Sequence, residues 1–415
     1  MTAFLAAFLA LAGVPLFVLI SALALLGFYQ GGIDLRVVFI EMYRLASTPA
    51  LTAIPLFAFT GFLLAESHAP QRLVRFSQVL LGWLPGGLAI MALVVCALLT
   101  ALTGASGMTI VALGGLLYPA LSQQGYPERF NLGLLTTCGS LGLLFPPSLP
   151  LIVYGIVSQT PVDQLFRAGL LPGGLLVLVL SGYCYWQGRR LPRNRHLPSL
   201  REIAAVGKES ALELLLPVVI FSGIYGGLVA PSEAAALGAF YILIVEVAIH
   251  REIPLRRLPA IIRDTMVLVG GILIVLAAAL AYTNYLVDAE VPNRLLAFIQ
   301  GYIHSRLVFL ILLNVFLLIV GCMLDIFSAL VVVVPLILPI AAAYQVHPVH
   351  LGIIFLTNLE IGYSTPPVGL NLFIASLRFD KPILQLARAS LPFIFLLLLC
   401  LGLITYLPYL SLALL

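Results

Sequence analysis

The chain has 415 residues, of which 62% are hydrophobic and only 9% are charged, and its mean hydropathy is +1.13. This composition excludes an ordinary soluble globular domain and predicts an all-α polytopic membrane protein. The net charge of +4 does not indicate a nucleic-acid partner, because the basic residues cluster in two loops between apolar segments.

Seven segments are long and apolar enough to span a bilayer, which takes about 20 residues. They cover residues 3–28, 47–66, 163–187, 213–230, 232–250, 262–285 and 386–413. The N-terminus lacks a basic n-region, so we expect the first span to be retained rather than cleaved. The stretch "DLRVVFIEMYRL" that follows it is predicted to be an amphipathic arm at the membrane interface.

Two basic loops set the orientation. "QGRRLPRNRHLPSLREIAAVGKES" and "HREIPLRRLPAIIRD" carry most of the Arg and Lys between spans, including Arg193, Arg195 and Arg257. The positive-inside bias predicts that both face the cytoplasm. The two spans between them return the chain to the same side, so the two assignments agree.

Two shorter apolar segments follow the second span. "MALVVCALLTALT" (91–103) and "MTIVALGGLLYPAL" (108–121) flank the sequence "GASG". At about 1.5 Å per residue, arms of 13 or 14 residues are too short to cross comfortably. They predict a re-entrant hairpin at about 91–121, followed by a helix at about 130–160 that is broken at "FPPS".

The same order recurs later in the chain. Segments 308–320 and 327–343 flank "GCMLDI" and predict a second hairpin at about 308–343, followed by a helix at about 349–376 broken at "TPPV". Adding 220 to the residue number maps four punctuating residues of the first copy onto the second: Pro119 onto Pro339, Gly142 onto Gly362, Pro146 onto Pro366 and Pro147 onto Pro367. Three spans lie between the copies, and an odd number predicts inverted repeats.

These patterns divide the chain into five parts. Residues 1–53 form an N-terminal scaffold span and arm, 54–162 the first repeat, and 163–261 scaffold spans with cytoplasmic basic loops. Residues 262–378 form the second repeat, and 379–415 a C-terminal span. The fold class is therefore two inverted repeats, each with a re-entrant hairpin and a broken helix.

The helix breaks suggest binding chemistry. Two consecutive prolines end a helix, because proline lacks an amide donor and clashes with the preceding turn. The freed backbone groups are tolerated at membrane depth only inside protein or against a wet cavity. Exposed carbonyl oxygens at one half-helix end suit sodium, and amides at the other suit a carboxylate.

Candidate ligands lie at the hairpin tips and the breaks. We predict nine sodium-site residues: Thr103, Gly104, Ser106, Gly142, Pro146, Gly321, Gly362, Thr365 and Pro366. We predict five substrate-site residues: Ser148, Asp325, Asn358, Glu360 and Asn371. Small and hydroxyl residues also serve close helix packing. Asp325 and Glu360 are ionisable residues at membrane depth, which mark functional pathways, although Glu360 could equally cap a helix or pair with an arginine.

The remaining titratable residues receive structural interpretations. The six histidines are interpreted as interfacial, and Arg72 and Arg75 as interfacial anchors. The five cysteines are scattered singly and are expected to pack, since no paired spacing predicts a disulfide framework or zinc site.

Several stretches together resemble the large membrane subunit of tripartite ATP-independent periplasmic (TRAP) transporters. They are "IPLFAFTGFLLAE", "GASGMTIVALGGLLYPAL", "GYPERF", "GSLGLLFPPSLPLIVYG", "SGIYGGLVAPSEAAA", "HPVHLGIIFLTNLEIG" and "STPPVGLNLF", in family order from about residue 54 to 376. The resemblance implies a sodium-coupled importer of organic acid anions with an elevator mechanism, in which hairpins and broken helices form a mobile transport domain and the other spans a scaffold.

The resemblance also implies partners and a location. The partners are a small four-helix membrane subunit, expected as a separate chain, and a periplasmic substrate-binding protein. The location is the cytoplasmic (inner) membrane of a bacterium or archaeon. Many members carry "SGSS" at the first tip, where this chain has Gly104–Ala105–Ser106–Gly107. The missing hydroxyl weakens the first ion site or shifts it onto carbonyls and Thr103.

Two other functions are alternatives to a tripartite importer. A stand-alone sodium/anion carrier would share the architecture but need no binding protein. An intramembrane enzyme using Ser106 or a carboxylate pair is disfavoured, because no nucleophile has a placed base and no metal-ligand cluster has useful spacing. We therefore expect no enzyme activity and no cofactor, with Na⁺ as the coupling ion. By its lack of charge, the first copy is the purer sodium site, and the second is where ion and substrate meet.

Overall fold

The computed structural model describes residues 14–46, 48–191 and 198–415. Within these ranges the chain is helical and contains no strand. Residues 3–13 of the predicted first span, and Arg193 and Arg195 of the first basic loop, lie outside the described residues.

Eight helices make up the first part of the described chain. They are α1 (Leu16–Gln30), α2 (Arg36–Ala46), α3 (Ala53–Glu66), α4 (Ala69–Leu81), α5 (Gly87–Thr103), α6 (Ser106–Gln123), α7 (Glu128–Thr137) and α8 (Leu149–Ser158). The predicted arm is the helix α2, which buries Val38 and Leu45 and exposes Phe39 and Tyr43. A bend of 73° separates α3 from α4.

Six helices follow in the middle of the chain. They are α9 (Val162–Gly188), α10 (Leu200–Glu209), α11 (Ala211–Tyr225), α12 (Pro231–Leu243), α13 (Leu258–Asp288) and α14 (Val291–Tyr302). A π-helical turn, Ile244–Ile249, extends α12. The helix α13 begins inside the predicted second basic loop, since its apolar face extends to Ile261, which is buried.

Six helices complete the chain. They are α15 (Arg306–Met323), α16 (Ile326–Ala343), α17 (Pro348–Gly362), α18 (Leu370–Phe379), α19 (Ile383–Tyr406) and the short α20 (Tyr409–Leu412). The predicted C-terminal span over 386–413 is therefore wrong in its last turns. Pro408 separates α20 from α19, because a proline lacks the amide that would continue the helix.

The predicted hairpins are two helix pairs with short connections. Tip 1 (Gly104 and Ala105) joins α5 to α6, and tip 2 (Leu324 and Asp325) joins α15 to α16. The expected arms of 13 or 14 residues were too short, since α5 has 17 residues and α6 has 18. Backbone hydrogen bonding continues past the apolar stretch, to Gly87 at one end and to Ser122 and Gln123 at the other.

Both predicted helix breaks are present. Break 1 (residues 145–148) follows a 3₁₀ extension of α7, Cys138–Leu144, and precedes α8. Break 2 (residues 363–369) separates α17 from α18. The axis bends by 46° at break 1. The peptide bonds Pro146–Pro147 and Pro366–Pro367 are both cis.

By length and composition, six helices of the described chain can cross a membrane, or up to eight if each bent pair counts as one span. Among the six are α9, α13, α15, α16 and α19. This number agrees with the prediction of a polytopic membrane protein.

Candidate functional site

Tip 1 packs against break 1 through glycines. Gly104 ends α5 at φ +65°, and a Cβ there would lie 2.5 Å from Cγ of Leu149, the first residue of α8. Gly142 lies flat against α5, since a Cβ on it would lie 2.2 Å from the Ala97 carbonyl oxygen and 2.4 Å from the Ala101 amide nitrogen. A side chain at Gly142 would therefore separate the 3₁₀ extension from α5.

The polar groups of this first region are enclosed. Thr103, Ser106 and Ser148 are buried. Within the described part of the chain, Ser148 Oγ has no hydrogen-bond partner. A buried polar atom without a partner costs about 1–3 kcal/mol, and an ion or water at the site would remove that cost.

Tip 2 packs against break 2 in the same way. A Cβ on Gly362 would lie 2.5 Å from the Gly321 carbonyl carbon. The Gly369 amide donates to the Cys322 carbonyl oxygen at 3.0 Å, which ties the end of break 2 to the end of α15. The structure thus brings Gly321 and Gly362 together as the sequence predicted.

Break 2 also carries buried polar groups without partners. Ser364 and Asn371 are fully buried, and among the described residues neither the Ser364 hydroxyl nor either polar atom of the Asn371 amide has a partner. Thr365 Oγ1 donates to the Ile361 carbonyl oxygen at 2.8 Å and keeps its lone pairs free. Pro366 is exposed, whereas Pro146 is buried, so break 2 is the more open of the two.

Asp325 has a structural role that the sequence analysis did not assign. Its carboxylate caps α16, since Oδ2 accepts from the amides of Phe327 and Ser328 at 3.0 Å each. The side chain is exposed and borders a cavity. The carboxylate therefore stabilises the start of α16, and its predicted contact with substrate stays a prediction.

Two substitutions separate these roles. Asp325→Asn keeps an N-cap oxygen and removes the charge, so we expect stability to change little. Asp325→Ala removes the cap and should lower the free energy of unfolding by about 1 kcal/mol. If both variants lose transport equally while only Asp325→Ala unfolds earlier in a thermal melt, the charge serves function. Normal transport by Asp325→Asn would limit Asp325 to capping.

Asn358 and Glu360 lie deeper than the other predicted substrate residues. Both are fully buried, and neither borders the cavity described below. Asn358 Nδ2 donates to Asn314 Oδ1 at 2.7 Å, and Asn314 Nδ2 donates in turn to Thr405 Oγ1 at 3.1 Å. Within the described chain, neither Glu360 carboxylate oxygen has a hydrogen-bond partner.

A cavity of about 1230 Å³ lies between the two tips and two other helices. Tip 1 and the start of α6 border it on one side, and Asp325, Tyr363 and Arg378 border it on another. The lining also includes Phe62 and Glu66 of α3 and the first turns of α13. It is large enough for an organic ligand.

A second polar cluster, which the sequence analysis missed, surrounds Arg72. The Arg72 side chain is only 14% exposed, and its Nε donates to Glu213 Oε1 at 2.7 Å. Its guanidinium also pairs with Glu246 at 3.3 Å and with Glu252. Arg72 is therefore not an interfacial anchor but the shared cation of three carboxylates from α11, the π-helical turn and the following loop.

Glu252 of this cluster is held in its charged form. Burial alone would raise its pKa, but hydrogen bonds from the His68 amide and the Arg72 guanidinium outweigh burial and lower the pKa. His250 Nε2 lies 3.4 Å from Glu213 Oε1. Histidine placement was also partly mispredicted, because His350 is buried in α17 and contacts Ser411 at 3.1 Å.

The cysteine side chains pack inside the protein, as predicted. All five cysteines are buried and free, with Cys96 and Cys138 sulfur atoms 3.1 Å apart. No group of three or more His, Cys, Asp or Glu residues suited to a metal ion occurs among the described residues.

The long apolar helices, the two helix pairs and the two broken helices define a multi-pass membrane protein of the transporter class. The family described as "Tripartite ATP-independent periplasmic transporter, DctM component" matches residues 2–410. The chain belongs to this family, which confirms the resemblance, and it is a large permease subunit of a TRAP transporter.

Several relatives with known names match most of this chain. The chain is 35% identical over 383 residues to the C4-dicarboxylate TRAP transporter large permease protein DctM of Pseudomonas aeruginosa, covering 92% of this chain and 90% of that protein. It is 34% identical to the isethionate TRAP transporter permease protein DctMQ of Oleidesulfovibrio alaskensis, covering 86% and 57%. It is 30% identical to the ectoine/5-hydroxyectoine permease UehC of Ruegeria pomeroyi, covering 94% and 92%.

One solved structure shares the fold. The crystal structure of the YdaH transporter of Alcanivorax borkumensis, which revealed an unusual topology, superposes with a TM-score of 0.60 at 14% identity. The match covers 90% of this chain and 88% of that one.

Proposed function

We propose that this chain is the membrane subunit of a sodium-coupled importer, which moves an organic acid anion across the inner membrane after a periplasmic binding protein delivers it. The observation that carries the proposal is the pair of tip-and-break regions with buried polar groups that lack partners among the described residues, at Ser148 in the first and at Ser364 and Asn371 in the second. Both regions adjoin one cavity.

The proposed inverted repeat is supported by reciprocal packing. The helix α6 of the first half contacts α18 of the second, and α16 of the second contacts α8 of the first. Likewise α7 contacts α19, and α17 contacts α9. Such an exchange of partners is what a two-fold relation between the halves produces. Of the four intervening helices, α9, α11 and α12 are apolar, and three crossings, an odd number, support inversion.

One contact supports a two-fold axis that passes between the two broken helices. Ser140 Oγ donates to the Glu360 carbonyl oxygen at 3.4 Å. These two residues differ by 220 in number, which is the offset that relates the two copies. Residues that correspond to each other and also touch must lie beside the axis.

In the proposed mechanism, sodium occupies the tip-and-break regions. In the first, carbonyls at Gly104, Gly142 and Pro146 join the hydroxyls of Thr103 and Ser106. In the second, Thr365 supplies a hydroxyl beside carbonyls of three residues: Gly321, Gly362 and Pro366. Ser148 and Asn371 stand next to these sets with free polar atoms, while Asn358 and Glu360 support break 2 from behind.

An elevator movement is supported by the position of the cavity. It lies between the tips, which would belong to the mobile transport domain, and α3 and α13, which would belong to the scaffold.

The membrane potential would supply part of the driving force. Each sodium ion that enters down a potential of 100 mV contributes about 2.3 kcal/mol. The small four-helix subunit would be a separate chain that enlarges the scaffold within the lipid bilayer.

Uptake into proteoliposomes tests this function. The chain, reconstituted with the proposed small subunit and binding protein, is offered succinate, isethionate or ectoine, which represent the ligands named for its relatives. We expect an inward sodium gradient to drive accumulation of at least one, and a potassium gradient to drive none. Uptake that is equal in both gradients, or uptake of none of the three, would contradict the proposal. Transport of free substrate without the binding protein would favour a stand-alone carrier.

Sodium dependence also tests the ligand assignment. We expect Thr365→Ala to raise the sodium concentration for half-maximal uptake about tenfold, a loss of about 1.4 kcal/mol of binding free energy. Ser222→Ala, at an exposed hydroxyl of α11 that bonds within its own helix, is the control. Unchanged sodium dependence in Thr365→Ala would count against an ion in the second region.

A further inference from the structure

The cavity is bordered by five charged side chains, and four of them have partners. Glu66 pairs with Arg257 at 3.1 Å, so these two neutralise each other. Asp264 pairs with Arg263 at 3.0 Å. Asp325 accepts from two amides of α16. Arg378 is the fifth, and among the described residues no carboxylate lies within ion-pair distance of it.

Arg378 lies in a trough made by two glycines of α6. A Cβ on Gly115 would lie 1.7 Å from Nη2 and 2.9 Å from Cζ of Arg378. A Cβ on Gly114 would lie 3.7 Å from its Cγ and 2.9 Å from Cζ of Phe379. Because Gly114 and Gly115 have no side chains, the guanidinium can lie against α6, the helix that begins at tip 1. This position is beside the cavity.

Interaction with a helix end does not account for this arrangement. Arg378 is in the last turn of α18, where a cation gains about 0.3–1 kcal/mol from the helix dipole. Arg378 is exposed, so that gain is available to any conformer of its side chain, and it does not require a trough on a second helix or a place at the cavity wall. A free guanidinium beside a cavity offers paired N–H donors to a carboxylate or sulfonate.

We propose that Arg378 binds the anionic group of the transported molecule and so determines that the cavity accepts carboxylates and sulfonates. This inference rests on the proposed function. The Arg378 guanidinium lies about 13 Å from tip 1 along α6, counted from Ser106 to Gly115 at about 1.5 Å per residue. The same cavity is bordered by Arg257 of the loop predicted to be cytoplasmic. Arg378 therefore meets the anion on the side where it is released.

Charge restoration at this position tests the proposal. Arg378→Cys is reconstituted with the partner subunits, and uptake of succinate, isethionate and ectoine is measured. The five native cysteines are buried, so thiol reagents act selectively at the new thiol. We expect uptake of succinate and isethionate to fall at least fivefold, to recover with a methanethiosulfonate reagent that carries an ammonium group, and to stay low with neutral or sulfonate-bearing reagents.

Two further variants sharpen the comparison. Arg256→Cys, an exposed cation of the same loop as Arg257 that does not border the cavity, should transport within twofold of wild type under every reagent. Gly115→Ala keeps the charge but displaces the guanidinium, so we expect a higher KM for the anion with unchanged sodium dependence.

The outcomes separate this inference from the proposed function. If the wild-type complex transports none of the three probes with sodium, the proposed function fails. If it transports one and Arg378→Cys matches it, or if all three reagents act alike on Arg378→Cys, only the role of Arg378 is overturned. Loss of ectoine uptake alone would also overturn it, since succinate and isethionate carry the anionic groups without a positive charge.

Discussion

Arg72→Met is expected to lower the free energy of unfolding by about 3–5 kcal/mol, because it leaves buried carboxylates without their cation. Glu213 and Glu246 are almost fully buried, and Arg72 is the guanidinium that both contact. The loss would appear as a melting temperature lower by several degrees in detergent, followed by size-exclusion fluorescence.

The melting temperatures of wild type and Arg72→Met should be compared near pH 7. The stabilisation from Glu252 is present above the ordinary Glu pKa, about 4.3, and is lost as the pH falls through its lowered pKa in the folded protein.

Arg75→Met is the matched control for that experiment. Arg75 is on the same helix, but its side chain is 65% exposed and pairs with Glu209, which is itself 46% exposed. Exposed pairs contribute about 0–1 kcal/mol. Equal melting temperatures for Arg72→Met and Arg75→Met would contradict the account of this cluster. Adding Glu213→Gln and Glu246→Gln to Arg72→Met should recover part of the loss.

Gly142→Ala is expected to abolish sodium-dependent uptake or to raise the required sodium concentration at least tenfold. The new Cβ would lie 2.2 Å from a backbone oxygen of α5, so the 3₁₀ extension before break 1 must move away from that helix. Overpacking of this kind costs about 1–3 kcal/mol and displaces the carbonyls assigned to sodium. Uptake at a series of sodium concentrations measures the effect.

Substitutions at two other glycines serve as comparisons for Gly142→Ala. Gly362→Ala should behave like Gly142→Ala, since its Cβ would meet the backbone of Gly321 at 2.5 Å. Gly402→Ala in α19 should match wild type, because nothing lies within 4 Å of its Cβ. Wild-type sodium dependence in Gly142→Ala would show that close approach at this glycine does not position the ion site.

The helix breaks and tips could be predicted from the sequence because the proline and glycine residues that produce them act locally. Proline restricts the backbone and glycine widens its conformational range wherever they occur, so Pro146, Pro147 and the 220-residue offset could be located without knowing the fold. The predicted lengths of the hairpin arms were less accurate. A helix can continue through polar residues such as Ser122 and Gln123 once its backbone hydrogen bonds are formed.

The role of Asp325 could have been predicted but was not. An aspartate directly before an apolar helical stretch is a common N-cap signal, and the second arm was predicted to begin only two residues later. The Arg72 cluster was also within reach, because Glu213 and Glu246 are ionisable residues in apolar spans, the criterion that selected Glu360. Their shared partner is more than 130 residues away in sequence, and only the fold brings it to them.

Arg378 and the asymmetry of the two breaks needed the structure. No local pattern reveals that a glycine pair on α6 accommodates an arginine from α18. Nor does the sequence distinguish the buried Pro146 from the exposed Pro366, since both occur in the same Pro-Pro motif. Burial here depends on what the opposite half of the chain places over each break.

Sodium binding to the purified chain tests the central claim most directly, because it requires neither partner subunit nor transported anion. Melting temperature is measured against NaCl at constant ionic strength, with KCl as the balancing salt. A ligand at 100 times its dissociation constant stabilises the folded state by about 2.7 kcal/mol. We predict a saturable rise with sodium in wild type and Gly402→Ala, and a much smaller rise in Thr365→Ala and Gly142→Ala. Identical melting curves in sodium and potassium would contradict the assignment of ion sites to the two breaks.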